Sequence, residues 1–388
     1  MVRALSLTAL VGLLVLVPAA SAARSVTPAE SEALLRIASR LSGLPAKRAV
    51  PVVVDRPAQF RLRRTKTFDQ FYPMSAQAYD EILYRSLGLT AERNVLRPAL
   101  VESQVRTAMY DPVSRRIFVP TAKPARQPLL GEFVRALQDQ HFGLRRPAVR
   151  PGSRDESIAT IAALEGHVAL VAGVPATRSV SGHGGPLLTR FLELQRGFTT
   201  FVGRRFALNL RNLGGNPAIF AALRRLPSST EQIFHLDKFL ERERALPIVL
   251  PVDAAGLRLA ADNSFGELDV RALLAVFDVP RLDHAGSGWG GGRTAIYRGA
   301  GREAVAVALD WDTELDAQQW AEAAALYVNE AFDADAPALP APTTCAASTC
   351  WSFDGRSVAF VRAGARTVLV VSGDVAGAAA LARAIVPG

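Results

Sequence analysis

The chain has 388 residues, of which 49% are hydrophobic and 21% are charged, and it contains two cysteines. This composition excludes a disordered chain and a small scaffold held by disulfides, and the length predicts two domains or one large domain with an appendage. The formal net charge is +9, yet the basic residues are scattered and aromatic residues make up only 7%. A nucleic-acid surface combines clustered basic residues with aromatic ones, so we expect no nucleic-acid partner.

The first 22 residues have the features of a secretory signal peptide. Arg3 precedes an apolar stretch that ends in the A-x-A cleavage site Ala20-Ser21-Ala22. The uncharged stretch 4–23 approaches the roughly 20 residues that cross a bilayer, so an uncleaved N-terminal anchor is an open alternative. We predict a cleaved signal peptide, a secreted or extracytoplasmic protein, and no membrane contact beyond this segment.

Periodicity and capping residues predict a mainly helical chain up to about residue 280. In chain order we predict a helix opening at Thr27, a strand at 50–54, helices at 75–87 and 96–108, a strand at 117–119, and helices at 128–141, 154–174 and 186–211. Gly214 and Gly215 should end the last of these helices. The predicted division is a signal peptide at 1–22, an N-terminal helix and strand segment at 23–89, and a helical core at 90–280.

The C-terminal element at 281–388 mixes strands and helices. We predict strands at 293–299, 304–311, 357–362 and 366–372, helices at 315–331 and 375–385, and a Pro/Ala-rich loop at 333–349. This mixture favours an α+β fold over alternating βαβ units.

Cys345 and Cys350 enclose four small residues at the end of that loop. In an oxidising compartment the two can pair, and we predict a disulfide whose stabilising effect is modest because the loop is short. A metal-binding pair would need two further Cys or His residues nearby, and the sequence has none there. Asp310 and Asp312 lack the ligand spacing of a known calcium loop, so we expect solvated acidic residues.

The most informative segment is an amphipathic helix whose apolar stripe starts at Leu129 and repeats at every fourth residue. Its other face carries Gly131, Glu132, Arg135 and Asp139. In zinc peptidases the motif H-E-x-x-H puts two imidazoles on one helix face, with the glutamate as general base. Here Gly131 and Arg135 hold the two histidine positions, and Glu132 alone remains of the motif.

Glu165 lies in an otherwise apolar helix, together with His167. A lone carboxylate in such a helix costs several kcal/mol unless it is paired or neutralised. A partly exposed place on the rim between helices would also explain it. The spacing favours a site, because Glu165 follows Arg135 by 30 residues, where gluzincin-type peptidases carry the third zinc ligand on a following helix.

Separated segments of this chain follow one another in the order of a known family. They are Tyr110-Asp111-Pro112, Ala136-Leu137-Gln138-Asp139-Gln140-His141-Phe142, Leu164-Glu165-Gly166, Ser229-Thr230-Glu231-Gln232-Ile233-Phe234-His235 with Lys238-Phe239-Leu240, and Gly288-Trp289-Gly290-Gly291. Through them, residues of about 100–320 resemble a family of exported bacterial, mainly actinobacterial, zinc metallopeptidases of gluzincin type. The resemblance implies a mainly helical gluzincin-like core, and it places the family's zinc ligands at Gly131, Arg135 and Glu165.

Two departures from the family's motif decide the predicted cofactor. Gly131 has no ligand atom, Arg135 is a permanent cation, and Glu165 alone cannot hold zinc, which takes three protein ligands at a catalytic site. Helix geometry turns the nearest substitutes, His141 and His167, away from the ligand positions. We therefore expect no metal and no other cofactor, with zinc bound only if the ligand set is rebuilt.

Charge predicts another use of the same positions. In the absence of a zinc ion, no dication balances the carboxylates of Glu132 and Glu165. Arg135 brings a fixed positive charge to the same place. We predict that Arg135 bridges the two carboxylates as a buried fork. Glu132 is then a vestigial general-base position, and Asp139, further along the helix, is a candidate to support the site from behind.

These residues lead to three alternative functions. We expect a secreted, non-catalytic metallopeptidase homologue, a pseudopeptidase without catalytic residues, that binds an unidentified peptide or protein partner. The first alternative is a hydrolase with rearranged metal ligands that uses Glu132 as the general base. The second is an envelope structural protein whose cleft has been filled by side chains.

Overall fold

The computed structural model describes residues 26–103, 106–143, 152–174, 185–332, 345, 349–353 and 355–386. The predicted signal peptide and most of the loop predicted at 333–349 lie outside these residues. Helices and strands are both abundant, which confirms the predicted α+β class. In the part of the chain that is described, none of the helices combines the length and the apolar character needed to span a membrane.

The helices are α1 (Pro28–Ser42), α2 (Pro57–Phe71), α3 (Met74–Ser86), α4 (Leu96–Ser103), α5 (Arg126–Phe142), α6 (Arg154–Val171), α7 (Leu187–Gly197), α8 (Gly203–Arg224), α9 (Thr230–Phe234), α10 (Leu236–Glu241), α11 (Glu267–Val276), α12 (Leu282–Gly286), α13 (Glu314–Phe332) and α14 (Val375–Ile385), with a π-helical turn at Phe198–Val202. The strands are β1 (Val52–Val54), β2 (Met109–Asp111), β3 (Arg116–Val119), β4 (Asp253–Ala254), β5 (Leu257–Ser264), β6 (Trp289–Gly299), β7 (Arg302–Trp311), β8 (Thr349–Phe353), β9 (Arg356–Ala363) and β10 (Arg366–Ser372).

A small three-stranded sheet supports α5. Its strand order is β1-β3-β2, with β1 parallel and β2 antiparallel to the central strand. Ile117 and Val119 of β3 are fully buried and belong to one cluster with Phe133 and Leu137 of α5. The apolar stripe predicted for this helix therefore faces the sheet, and burial of such side chains fixes which residues of α5 point elsewhere.

A seven-stranded antiparallel sheet forms the other large element, in the order β4-β5-β6-β7-β10-β9-β8. Side chains alternate between its two faces, as the period of a strand requires. In β7, Val305 and Val307 face the cluster that contains α3, α7, α11 and α13, whereas Ala304 and Ala306 face α14. Helices thus cover both faces of the sheet.

The sheet begins before the boundary predicted at residue 281. β4 and β5, which the sequence analysis placed in the helical core, are hydrogen-bonded members of it. Buried side chains also cross the boundary, since the Tyr79 hydroxyl donates to Thr294 Oγ1 at 2.7 Å and the Tyr327 hydroxyl donates to the Leu87 carbonyl at 2.9 Å. The domain boundary predicted at residue 281 therefore divides a single sheet and a single hydrophobic core.

The helix predicted at 186–211 has a more complex course. α7 passes through the π-helical turn into α8 without an intervening loop. Gly214 and Gly215 leave helical geometry, with φ of −153° and +65°, but the chain then resumes as helix up to Arg224. Pro217 explains the restart, because proline fits the first turn of a helix. The helix predicted at 96–108 is also shorter, since α4 ends at Ser103.

The helix α2 was missed, because most of its side chains are polar and it buries only Phe60. Among its polar contacts, Arg63 Nε donates to Asp55 Oδ2 at 2.9 Å, the Arg63 guanidinium lies 3.5 Å from the centre of the Phe118 ring, and Asp69 accepts from Arg97 Nη1 at 2.6 Å. The expectation that Asp310 is solvated was wrong. It lies in β7, and Arg366 donates to both of its carboxylate oxygens at 2.6 Å.

Candidate functional site

The helices α5 and α6 bring Glu132, Arg135 and Glu165 together. Arg135 Nη1 donates to Glu132 Oε1 at 2.6 Å, while Nε donates to Glu165 Oε1 at 3.0 Å and Nη2 contacts Glu165 Oε2. The predicted bridge is therefore confirmed: one guanidinium binds both carboxylates, and it holds Glu165 through two atoms. All three side chains are largely buried, and such charge-assisted forks are stronger than neutral hydrogen bonds.

The charge of Arg135 is fixed by its surroundings. Burial by itself would lower the pKa of the guanidinium, but the negative charges of Glu132 and Glu165 and the hydrogen bonds to them raise that pKa above its ordinary value. Removing either carboxylate would leave an incompletely paired charge in a region that water scarcely reaches.

Tyr110 connects this site to the edge of the small sheet. Its backbone N–H donates to Glu132 Oε2 at 2.8 Å, and its hydroxyl donates to Asp139 Oδ2 at 2.7 Å. Asp139 also accepts from Arg48 Nη2 at 3.3 Å. Asp139 is therefore connected to Glu132 through Tyr110. This connection agrees with the predicted role of Asp139 in supporting the site.

A side chain at position 131 would point toward the same guanidinium. A Cβ atom built on Gly131 would lie 3.8 Å from Arg135 Nη1 and 3.2 Å from Val168 Cγ1. Side chains at 131, 135 and 165 would thus converge on one place. The residues actually present do not fit a zinc ion there, because Gly131 offers no ligand atom and the guanidinium fills the space between the carboxylates.

His141 and His167 make their hydrogen bonds elsewhere. His141 Nε2 lies 2.7 Å from the Pro45 carbonyl oxygen, and His167 Nδ1 lies 3.0 Å from Gln138 Nε2. Burial lowers the pKa of His167 to about 4, so its ring is neutral at ordinary pH. These contacts agree with the expectation that neither histidine replaces the missing ligands.

A cavity of about 430 Å³ opens beside Arg135 and Glu165. It runs along α6, which contributes Arg154, Ile158 and Ile161 in addition to Glu165. The remaining wall comes from α2, α3, α4, α5 and α7, from Met109 of β2, from the π-helical turn, and from Tyr72 and Arg106, which lie outside helices and strands. Its volume lies within the range of small-molecule sites, roughly 300–1,000 Å³.

A second buried charge network closes the far end of the cavity. Arg154 Nη1 donates to both oxygens of Asp269 at 2.7 and 2.6 Å, Nε donates to Asp80 Oδ2 at 3.2 Å, and Nη2 donates to the Tyr84 hydroxyl at 2.7 Å. Burial raises the pKa of Asp80 despite the charge of Arg154. Sequence analysis missed this network, although the charged pair Arg154-Asp155 at the start of an apolar helix is a signal for it.

The segment from Ser229 to Lys238, which carries part of the family resemblance, connects neighbouring helices. Asp155 accepts hydrogen bonds from the Thr230 hydroxyl at 2.6 Å and from its backbone N–H at 3.1 Å. Burial raises the pKa of Asp155 to about 7. His235 Nε2 lies 3.1 Å from Glu267 Oε1, so this segment fastens α9 to both α6 and α11.

Lys238 occupies the centre of three carboxylates. Its Nζ donates to Glu231 Oε1 at 2.5 Å, to Glu243 Oε1 at 2.8 Å and to Asp312 Oδ2 at 2.6 Å. Among the described residues, these three acids form the one group close enough to share a metal ion. Because the ammonium already lies between them, we assign the cluster to Lys238. Asp312 is exposed, as expected, and it is also paired with Lys238.

Cys345 and Cys350 form the predicted disulfide, with their Cα atoms 6.4 Å apart. Both cysteines are buried against the face of the sheet that α14 covers. This confirms the pairing and agrees with an oxidising compartment.

Comparison with known proteins gives a match in the C-terminal part of the chain. Residues 257–382 match a family described as a domain of unknown function, DUF8575. No curated protein and no solved structure matches. The matched segment runs from β5 into α14 and so covers most of the seven-stranded sheet. It does not include Glu132, Arg135 or Glu165.

Proposed function

We propose that this protein is a secreted, non-catalytic homologue of gluzincin-type zinc metallopeptidases and acts by binding a peptide or protein partner. The observation that carries the proposal is the position of Arg135, whose guanidinium lies between Glu132 and Glu165. In the resembling family those three positions would hold a zinc ligand, the general base and another zinc ligand. A cationic side chain there replaces the charge of a metal ion but not its Lewis acidity.

Two independent features support the proposed compartment. The N-terminal sequence has the form of a signal peptide, and the disulfide between Cys345 and Cys350 is stable outside the reducing cytosol. Together they support an extracytoplasmic place of action.

Binding is favoured over a purely structural role by the cavity beside the site. Arg135 and Glu165 both line it, together with apolar side chains of α2 and α6. A cleft filled by side chains, which the envelope structural alternative requires, would leave no space of about 430 Å³ at this place. An open pocket of this size beside the buried charges supports recognition of a ligand.

Metal analysis of the purified protein tests the non-catalytic assignment. We expect far less than one zinc ion per chain. A triple variant, Gly131→His, Arg135→His and Val168→Ala, restores the two histidines and makes room for the first beside α6. We expect this variant to bind zinc stoichiometrically, because it presents three protein ligands.

The control is the same triple variant with Glu165→Gln added, which should lose most of its zinc affinity. Stoichiometric zinc in the unaltered protein, lost on Glu165→Gln, would overturn the proposal and support the hydrolase with rearranged ligands.

A further inference from the structure

The shape of the cavity beside Arg135 restricts what it can bind. Arg154, Ile158, Ile161 and Glu165 lie on one face of α6, and all four line the cavity. Eleven residues of helix span about 16 Å, so the cavity is a groove of about that length. An extended peptide of about five residues matches it.

The walls between the two ends of the groove are mostly apolar. Phe68 and Phe71 of α2, Ile158 and Ile161 of α6, and Leu192 of α7 all line it. Apolar side chains of a ligand would be removed from water here, which favours binding by about 25 cal/mol for each Å² buried.

Arg106 lies at the Glu165 end of the groove. Its side chain is 28% exposed, and its Nη2 is 3.7 Å from Glu165 Oε1, beyond hydrogen-bond distance. Both oxygens of Glu165 already accept from Arg135. Arg106 thus forms an ion pair with Glu165 but, within the described part of the chain, makes no hydrogen bond to another residue. Because it also lines the groove, its guanidinium offers N–H donors to a ligand carboxylate.

Gln138 contributes an unused acceptor near the same end. It is completely buried and lies one helical turn after Arg135 on α5. Its amide nitrogen donates to the Leu164 carbonyl at 3.0 Å and contacts His167 Nδ1 at 3.0 Å, which fixes the orientation of the amide. The amide oxygen, Oε1, has no hydrogen-bond partner among the described residues. A buried acceptor without a donor is costly, and a ligand N–H would satisfy it.

We propose that the groove binds the carboxyl-terminal end of an extended apolar peptide. The terminal carboxylate pairs with Arg106, a main-chain N–H of the peptide donates to Gln138 Oε1, and the apolar side chains lie between α2 and α6. An acyl chain with a carboxylate head would satisfy Arg106 but has no N–H for Gln138, so the peptide is favoured. This inference rests on the proposed function and names the ligand class of the same site.

Two matched peptide pools and one lipid probe test the inference on the full-length protein. The pools contain N-acetylated pentapeptides of Ala, Val, Leu, Ile and Phe, one pool with free carboxyl termini and one with amidated termini. The lipid probe is dodecanoate. Bound compounds are identified by affinity selection with mass spectrometry, and the affinities of the best are measured by calorimetry. We expect the free acids to bind at least about 10-fold more tightly than the same peptides as amides.

Variants locate the carboxylate. Arg106→Gln should weaken binding of the free acids by at least about 10-fold and leave the weak binding of the amides unchanged, while Arg106→Lys should retain part of the difference. The control is Arg36→Gln, since Arg36 is an exposed residue of α1 outside the groove. Thermal unfolding of each variant verifies that it is folded.

Each contrary result has a distinct meaning. Equal affinity for acids and amides, or full affinity in Arg106→Gln, would overturn the carboxylate anchor and leave peptide binding intact. Binding of dodecanoate and of neither pool would overturn both this inference and the peptide part of the proposed function. Binding of none of the probes at up to about 1 mM would overturn the inference. The zinc measurement is independent of all these outcomes.

Discussion

At the scale of single residues, Arg135 shows how a side chain differs from a metal ion between the same carboxylates. A guanidinium is planar and offers five N–H donors, so it reaches Glu165 with two atoms and Glu132 with a third. A lysine would bring the same charge as a point and could not bind Glu165 through two nitrogen atoms. The bridge therefore depends on arginine in particular.

Replacing Arg135 by alanine should destabilise the protein strongly. Glu132 and Glu165 would remain buried without their partner, and breaking such a pair costs about 3–5 kcal/mol of unfolding free energy. Urea unfolding at pH 7 measures this loss.

The matched control is Arg36→Ala, whose side chain is 72% exposed. We expect it to change the stability by no more than about 0.5 kcal/mol. A loss below about 1 kcal/mol for Arg135→Ala would contradict the role of the bridge.

The sequence was sufficient for this bridge but not for the network around Arg154. Glu132 and Arg135 are three residues apart on one helix, and Glu165 follows on the next long helix, so local periodicity and charge suggest the contact. The partners of Arg154, Asp80 and Asp269, come from α3 and α11. The charged pair at the start of α6 signals that Arg154 needs partners, but only the tertiary fold brings these two acids to it.

At the scale of elements, α6 and α8 pack at the closest approach that two backbones allow. A Cβ atom on Gly166 would lie 2.1 Å from the carbonyl carbon and oxygen of Gly203, and one on Gly203 would lie 2.2 Å from the Ala162 carbonyl oxygen. Both glycines are therefore required by contact between helices, and α6 is held at a fixed distance from α8.

Gly166→Ala should lower the unfolding free energy by about 2 kcal/mol or more, because the methyl group forces backbone atoms apart. Gly131→Ala is the matched change on α5. Its Cβ meets only Val168 Cγ1 at 3.2 Å and Arg135 Nη1 at 3.8 Å, and alanine favours helix, so stability should stay within about 1 kcal/mol of the unaltered protein. Thermal or urea unfolding measures both. Equal effects of the two substitutions would contradict the close packing.

Elements with strong periodicity were predicted within a few residues. α5, α6, β10 and α14 are examples, since each buries one regular face or one continuous apolar run. α2 was missed because it covers the groove with few apolar residues. β4 and β5 were missed because their place depends on pairing with β6, which is distant in the chain. Local pattern does not contain that information.

At the scale of the whole molecule, Lys238 joins the helical part to the sheet. Glu231 belongs to α9, Glu243 follows α10, and Asp312 follows β7, so one ammonium ties three separate segments together. Burial raises the pKa of Glu231 to about 8, although Lys238 acts in the opposite direction. Three carboxylates surround one ammonium, and Glu231 is the most buried of the three acids, so it retains its proton most readily.

This raised pKa makes stability depend on pH. The folded protein holds a proton on Glu231 that the unfolded chain releases near its ordinary pKa of 4.5, so the unfolding free energy should fall as the pH rises from about 4.5 to 8. Glu231→Gln keeps an acceptor for Lys238 but removes the titration. We expect urea unfolding at several pH values to give a flatter profile for this variant.

Glu303→Gln is the control, because Glu303 forms an exposed pair with Arg298. It should leave the slope between pH 4.5 and 8 as in the unaltered protein. The same slope in Glu231→Gln would show that Glu231 does not titrate in this range.

The guanidinium between Glu132 and Glu165 also bears on how the protein matures. A bound ion stabilises a fold only in proportion to its concentration relative to its dissociation constant. Arg135 is covalently part of the chain, so the counter-charge arrives with synthesis and needs no later delivery. The α5 and α6 pair can therefore assemble at the same strength in surroundings rich or poor in transition metals.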